Sequence, residues 1–314
     1  MNRIDENDTQ LGFVGVGAMG SRLVRRLLTH GYKVAVYDVH RANADALITD
    51  GATVSDSLAA LASTADVILS CLTDDEAVRQ VYFAADGIFA HAVPGTVVLE
   101  MSTIRPRTSR EVADEGADRG MRVLDVAISG STPAVEQGSV TLLCGGEQEI
   151  FAAVEPIFKT FAKQYFHLGS SGSGTSAKLV VNTLLGVGMQ AIAEACALGE
   201  QEGLDRELLL EVLAKTAVVA PAHVGKLPRA ARNDYSPQFP LRLMNKDLRL
   251  IVETAAKLNL VLPVTEAAFE TNSQALALGP DQDFSIVIRE MESRAEKKEQ
   301  TTESSLADTP LKAS

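Results

Sequence analysis

A lysine and an asparagine stand four residues apart in "GTSAKLVVNTLL", residues 174 to 185, among side chains that are otherwise small or apolar. Lys178 could transfer a proton, and Asn182, one helical turn on, could donate a hydrogen bond on the same side. Counting about 100° per residue from Lys178, Asn182 falls at about 40°, beside Leu185, Met189 and Cys196, while Ser176, Thr183, Gln190 and Glu194 gather between about 120° and 160°. That second group is the expected solvent face, which puts the lysine away from water. Three explanations stay open for such a lysine: a snorkelling stem, a buried ion pair, or a group that exchanges protons in a reaction. Desolvation lowers the pKa of a lysine and so brings the third within reach of neutral pH.

A second stretch, "GFVGVGAMGSRLVRRLLTHG", spaces Gly15, Gly17 and Gly20 as GxGxxG between an apolar run and a helical pattern. The first glycine allows a tight turn, the second lets the backbone approach a pyrophosphate, and the third lets helix and strand pack closely. Asp38 ends the next apolar run, where a carboxylate can bind a ribose 2′-hydroxyl. The same carboxylate repels a 2′-phosphate, which favours NAD over NADP, and Arg41 nearby pulls the other way. The alternative is a glycine-rich turn that holds no ligand.

Two further segments carry weaker signals. In "DVAISGSTPAVEQGSV", 125 to 140, a strand end runs into small and turn-forming residues whose N–H groups and serine hydroxyls could hold a carboxylate. An ordinary surface loop has the same composition. In "FPLRLMNKDLRLIVETAAKLN", 239 to 259, Lys246 and Asp247 are expected to precede an amphipathic helix. They are either a solvated lysine with an N-terminal helix charge, or a cation returned over a cleft. Histidines 30, 40, 91, 167 and 223 form no HExxH pair, no cysteines have zinc spacing, and no GxSxG, P-loop lysine or YxxxK pair occurs, so no metal is expected. His167 is expected to be a packed residue at a strand end.

The elements that must position these residues are of two kinds. Up to residue 168, β-branched runs alternate with helical stretches, the pattern of a parallel α/β sheet. Strands are expected at 11–16, 33–38, 66–71, 96–101, 122–128 and 140–146, with helices over Ser21 to His30 and Arg107 to Arg119 among them. After "GSSGSGTS", 169 to 176, only helical periodicity follows, to about residue 297. Asp205 is an expected N-cap, and Pro263 is expected in a first helical turn. This gives four regions: a flexible extension over 1–10, a cofactor domain over 11–168, an all-helical domain over 169–297, and a disordered tail over 298–314.

Composition bounds the function. A hydrophobic share of 46% with 22% charged residues excludes a disordered or fibrous chain. The net charge of -12 argues against a nucleic-acid partner. Nothing in "MNRIDENDTQ" resembles a secretory signal, and the run 179 to 199 is broken by Asn182, Gln190 and Glu194, so it is expected to be a soluble helix and no membrane partner is expected. Cys71, Cys144 and Cys196 are expected to be reduced core residues of a cytoplasmic protein.

In this order and spacing the four segments resemble the β-hydroxyacid dehydrogenase family, which includes 3-hydroxyisobutyrate dehydrogenases, tartronate semialdehyde reductases and glyoxylate/succinic semialdehyde reductases. The resemblance runs from about residue 11 to about 295. "GFVGVGAMG" is similar to the cofactor signature, with Gly15, Val16, Gly17, Ala18, Met19 and Gly20 at the cofactor. "CLTDD" and "MSTIRP" match further cofactor loops and implicate Leu72, Thr73 and Thr103. "DVAISGSTPAVEQG" is similar to the substrate signature, which implies that Ser129 and Gly130 hold a substrate carboxylate and that Ser131 is also at the substrate. "GSGTSAKLVVN" is similar to the catalytic motif, which makes Lys178 the catalytic lysine and Asn182 a substrate-positioning residue, and "NKDLRL" implies that Lys246 reaches the cofactor.

The implied fold is a Rossmann domain, a doubly wound parallel sheet, followed by an all-α domain. A long interdomain helix joins them and helps form a homodimer or homotetramer. The implied activity is NAD(P)-dependent hydride transfer on a small 3-hydroxy acid or its semialdehyde. Ser131 stands where many members have glycine, as in the glyoxylate/succinic semialdehyde reductases, yet Asp38-Val39 stands where those carry Asn-Arg and use NADPH. Alternatives are an imine reductase of the same fold, which usually lacks the lysine, and a dinucleotide-binding interaction module without catalysis.

Overall fold

In the computed structural model residues 4, 5 and 8 to 295 are described; the tail over 298–314 lies outside them, as does part of the extension over 1–10. Eight strands form one sheet: β1 (Gln10–Val14), β2 (Lys33–Tyr37), β3 (Thr53–Val54), β4 (Val67–Ser70), β5 (Val97–Glu100), β6 (Arg122–Ser129), β7 (Val140–Gly145) and β8 (Ala162–His167). Their spatial order is β3-β2-β1-β4-β5-β6-β7-β8. The order reverses between β1 and β4, which is the point where an open α/β sheet opens a crevice at its carboxyl edge.

The inner strands read as continuous apolar runs because both of their faces are covered. Leu11, Phe13, Val67, Leu69, Val97 and Leu99 enter the cluster on one face, and Val14, Ile68 and Val98 the cluster on the other. The helix Gly20–Thr29 closes the first face with Gly20, Leu23, Val24 and Leu27, the i, i+3, i+4, i+7 stripe of an amphipathic helix. Val78 and Tyr82 of the helix Asp75–Phe83 and Val112 of Pro106–Asp118 close the second. Ile4 of the expected flexible extension is itself buried in the first cluster.

Two expectations about the sheet need correction. The strands β1 to β6 are parallel, but β7 runs antiparallel to β6. Residues 130–139 hold only one short helix, Thr132–Glu136, and a parallel crossover needs a longer return. Strands β3 and β8 were not expected: β3 is two residues long, and β8 pairs only with β7, presenting Lys163 and Gln164 to solvent, so neither has an apolar run.

The chain divides between Val181 and Asn182 into two compact units, inside the long helix Ser173–Gln201. In the second unit Asp205 caps the helix Arg206–Lys215 by accepting from Leu208 N at 2.8 Å. Pro263 opens the helix Pro263–Ala275, and a last helix starts at residue 287. The helix Leu241–Lys257 buries Leu241, Met244, Leu248, Ile251 and Ala255 along one stripe.

The long helix is apolar and long enough to cross a membrane, but it buries Asn182 and Gln190, as a core helix does. Its exposed face differs from the expected one. Gln190 is 5% exposed, whereas Val180, Leu184 and Leu198 are 65%, 72% and 65% exposed. Of the four residues expected on the solvent face Glu194 is exposed, but Gln190 is buried and donates from Nε2 to Glu194 Oε1 at 2.8 Å. Lys178 is half-buried, on the side away from the exposed stripe.

Candidate active site

In the first unit the expected residues follow the carboxyl ends of four neighbouring strands. The glycine turn follows β1, Leu72 and Thr73 follow β4, Thr103 follows β5, and Ser129 to Ser131 end β6. Val14, Ser70, Glu100 and Asp125 stand in one register across those strands, so the four loops share one edge of the sheet.

The glycine turn is shaped for a phosphate chain. Gly15 has φ +85°, and a Cβ there would lie 2.5 Å from Cys71 O. A Cβ on Gly20 would lie 2.1 Å from Gly15 O, so the helix can start this close to the strand only as glycine. A Cβ on Gly17 would meet nothing, and Gly17 and Ala18 are exposed, which leaves the open cradle that a dinucleotide needs. Val16 is buried and Met19 half-buried beneath it.

Asp38 ties the turn to the end of β2. Its Oδ2 accepts from Val16 N at 2.9 Å, and its Oδ1 accepts from His40 N at 2.8 Å and Asn43 Nδ2 at 3.3 Å. Arg41 is engaged elsewhere, with Asp45 at 3.0 Å and Asp56 at 3.3 Å. Between β4 and β5, Leu72 N donates to Ser102 Oγ at 2.8 Å, and Ser102 N donates to Glu100 Oε1 at 2.9 Å. The two loops carrying Leu72 and Thr103 are thereby joined through Ser102, whose N–H is held by a buried glutamate. Burial pushes the Glu100 carboxyl up to about 8, with the nearby Asp125 charge adding to the rise and Ser102 opposing it.

Ser129 is half-buried at the end of β6, while Gly130 and Ser131 are exposed. Ser131 occupies the N-cap position of Thr132–Glu136 without capping it through its side chain. His167 is a packed residue at the end of β8, with Nε2 2.7 Å from Gly146 O and its ring against Phe151. Among the described residues no group of three or more His, Cys, Asp or Glu could hold a metal. Cys144 and Cys196 are buried and Cys71 is half-buried, so only two of the three cysteines are core residues.

The second unit brings Asn182 and Lys246 together around one carboxylate. Asn182 is fully buried, and its Nδ2 donates to Asp247 Oδ2 at 2.6 Å. Lys246 Nζ lies 2.9 Å from Asp247 Oδ1, a charge contact outside hydrogen-bond geometry. Asp247 is 2% exposed and lies inside the helix Leu241–Lys257, so neither residue precedes a helix, and the solvated reading is wrong. The helix begins directly after Pro240, a signal the sequence did contain. Asn182 Oδ1 is buried and accepts no hydrogen bond among the described residues.

The sequence reading missed three carboxylates: Glu100, Asp125 and the buried setting of Asp247. Glu100 and Asp125 had a signal, since each is a charge inside a strand that is apolar on both faces.

Comparison with known proteins gives the same outline. Residues 10–169 match the family model for the NAD binding domain of 6-phosphogluconate dehydrogenase, and residues 172–291 that for the NAD-binding of NADP-dependent 3-hydroxyisobutyrate dehydrogenase. The NAD-dependent L-serine dehydrogenase of Pseudomonas aeruginosa is 35% identical over 88% of this chain and 96% of its own length. Glyoxylate/succinic semialdehyde reductase 1 of Arabidopsis thaliana is 32% identical over 89% and 97%. A solved structure of Mycobacterium tuberculosis 3-hydroxyisobutyrate dehydrogenase with L-serine is 30% identical, with a TM-score of 0.81 over 90% of this chain and 98% of that one. An imine reductase from Pseudomonas sp., at 21% identity and a TM-score of 0.59, shares the fold alone.

Proposed function

Because this chain belongs to the β-hydroxyacid dehydrogenase family, we propose that it is an NAD(P)-dependent oxidoreductase acting on a small 3-hydroxy acid or its semialdehyde, with Lys178 as its acid/base. The observation that carries this reading is the single sheet edge on which the glycine cradle, the two cofactor loops and the Ser129–Ser131 loop all end. The names of the relatives fit one chemistry, interconversion of a primary alcohol and an aldehyde in a short carboxylate: L-serine and 3-hydroxyisobutyrate are 3-hydroxy acids, while succinic semialdehyde and glyoxylate are the aldehydes of a 4-hydroxy and a 2-hydroxy acid.

When bound, the nicotinamide takes up or returns the hydride. Gly15 to Gly20 and Asp38 hold the dinucleotide, with Leu72, Thr73, Thr103 and Lys246 as further contacts. The Ser129 hydroxyl and the Gly130 N–H fix the substrate carboxylate, with Ser131 beside them. In the oxidative direction Lys178 Nζ takes the proton of the substrate hydroxyl, and in reduction it returns that proton to the carbonyl oxygen. Asn182, anchored by Asp247, positions the substrate. NAD is the preferred cofactor in this reading, because Asp38 stands at the ribose position while Arg41 is drawn to Asp45 and Asp56. The compartment is the cytoplasm, in keeping with cysteines that form no disulfide among the described residues. The oligomer is a homodimer or homotetramer paired through the long helix.

The test is nicotinamide absorbance with 3-hydroxy acids, L-serine among them, and short semialdehydes, each with NAD(H) and NADP(H), for wild type and Lys178→Ala. A 3-hydroxy acid or its semialdehyde should turn over preferentially with NAD(H). The alanine variant should lose about a hundredfold to ten-thousandfold in kcat while still binding cofactor. Full activity in Lys178→Ala removes the lysine from the mechanism. No turnover across the panel removes the substrate class.

A further inference from the structure

Asp125 is a carboxylate in the middle of an apolar strand, 2% exposed, and the hydride-transfer scheme does not use it. Its Oδ1 accepts from Gly172 N at 2.8 Å, and its Oδ2 accepts from Thr175 N at 2.7 Å and from Thr175 Oγ1 at 3.2 Å. These donors open the long helix Ser173–Gln201, where backbone N–H groups have no partner within the helix. Local side chains usually supply such caps, but here the acceptor reaches across 47 to 50 residues of sequence. A negative charge at this end also suits the helix dipole.

The junction has no slack. A Cβ on Gly174 would lie 2.3 Å from Leu143 O and 2.9 Å from Asp125 Oδ2. A Cβ on Gly145, which pairs with Asp125 in the sheet, would lie 2.6 Å from Asp125 Oδ1 and 2.9 Å from Gly174 N. The helix start therefore lies backbone to backbone against β7, and the Asp125 carboxylate is the joint between it and β6. Two rigid arms leave it. Along β6 four residues, about 13 Å, lead to Ser129. Along the helix three residues, about 4.5 Å of rise, lead from Thr175 to Lys178.

We propose that Asp125 is a positioning residue: it fixes the first turn of the long helix on β6 and so sets Lys178 relative to the substrate loop that ends the same strand. This rests on the reading of Lys178 as the proton-transfer group. A cap that only stabilised the fold would change melting and leave the lysine where it is.

Asp125→Asn turns one acceptor oxygen into an NH2 that faces an N–H donor, with almost no change in volume. In the folded full-length protein its kcat should fall about a hundredfold, while the KM and the NADH dissociation constant stay within about threefold. The second readout needs no turnover: the rate at which acetic anhydride labels Lys178 Nζ, followed by mass spectrometry across pH, should shift relative to wild type. A folded variant with kcat within about threefold of wild type overturns the proposal, as does a loss of kcat with unchanged Lys178 labelling. Should Asp125→Asn fail to fold, Thr175→Val removes only the hydroxyl bond and Thr175→Ser restores it. The valine variant should lose several-fold in kcat with shifted labelling and the serine variant should recover both, whereas equal behaviour of the two overturns the proposal. Lys178→Ala separates the levels: if it keeps full activity the lysine reading fails, and if it is inactive while Asp125→Asn is not, only this proposal fails.

Discussion

Glu100 has no room for a charge. It is 1% exposed, paired in register with Ser70 on one neighbouring strand and Asp125 on the other, with the Tyr82 hydroxyl 2.7 Å from Ser70 Oγ. The unfolded chain releases this proton near the ordinary carboxyl value of 4.5, the native protein only at about 8. Between those values the native state binds the extra proton, so stability falls as pH rises, by up to about 1.4 kcal/mol per pH unit from this group. Glu100→Gln keeps the neutral shape and should remove that slope, so that its stability gain over wild type grows from about pH 5 to about pH 8. Urea unfolding at several pH values measures this, and parallel pH profiles for the two proteins would assign the slope to another group. At this scale the sequence spoke through local motifs. Gly15, Gly17, Gly20 and Asp38 could be read because their spacing is itself the chemistry. Asp247 under Asn182 and Asp125 under Thr175 could not, since each contact joins residues 47 or more positions apart.

Elements were readable where burial imposed a pattern. The inner strands β1, β4 and β5 are covered on both faces and announce themselves as apolar runs, while β8, an edge strand of sequence AKQYFH, does not. Strand direction leaves no periodic trace, so the reversal at β7 could be inferred only from the length of the connection before it. The second unit shows a related limit, because its loops are held by a charge rather than by periodicity. Asp283 is 1% exposed and accepts from Lys226 Nζ at 2.8 Å with both oxygens, from Gln238 N and Phe239 N at 3.1 Å, and from the Ser285 hydroxyl at 2.8 Å. Lys226 also lies over the Phe284 ring. Burial draws the Lys226 pKa down, and the Asp283 charge only partly restores it. Lys226→Met leaves that carboxylate buried without its cation and should cost about 3 kcal/mol. A loss below about 1 kcal/mol in urea unfolding would mean that the backbone donors alone satisfy Asp283.

At the scale of the whole molecule, the long helix poses the remaining question. Val180, Leu184, Val187, Ala191, Glu194 and Leu198 recur at alternating spacings of four and three residues, the a/d seam of a coiled coil. Leu184 and Leu198 on this seam are 72% and 65% exposed, as is Val180 at 65%. A helix whose other side already buries Asn182, Met189 and Cys196 has no reason within its own chain to keep leucines there. The dimer proposed above would supply one, because a two-fold axis would bring the same seam against itself. Covering each leucine is worth about 1.5 to 3 kcal/mol, and two leucines on each of two chains suffice to hold a micromolar dimer once other contacts meet the cost of association. Leu184→Glu combined with Leu198→Glu puts like charges across that seam and should convert the proposed dimer to monomers by sedimentation velocity, with the NADH dissociation constant kept, since neither leucine is among the proposed cofactor contacts. An unchanged sedimentation coefficient would move the subunit contact to another surface and leave the leucine seam to some other partner.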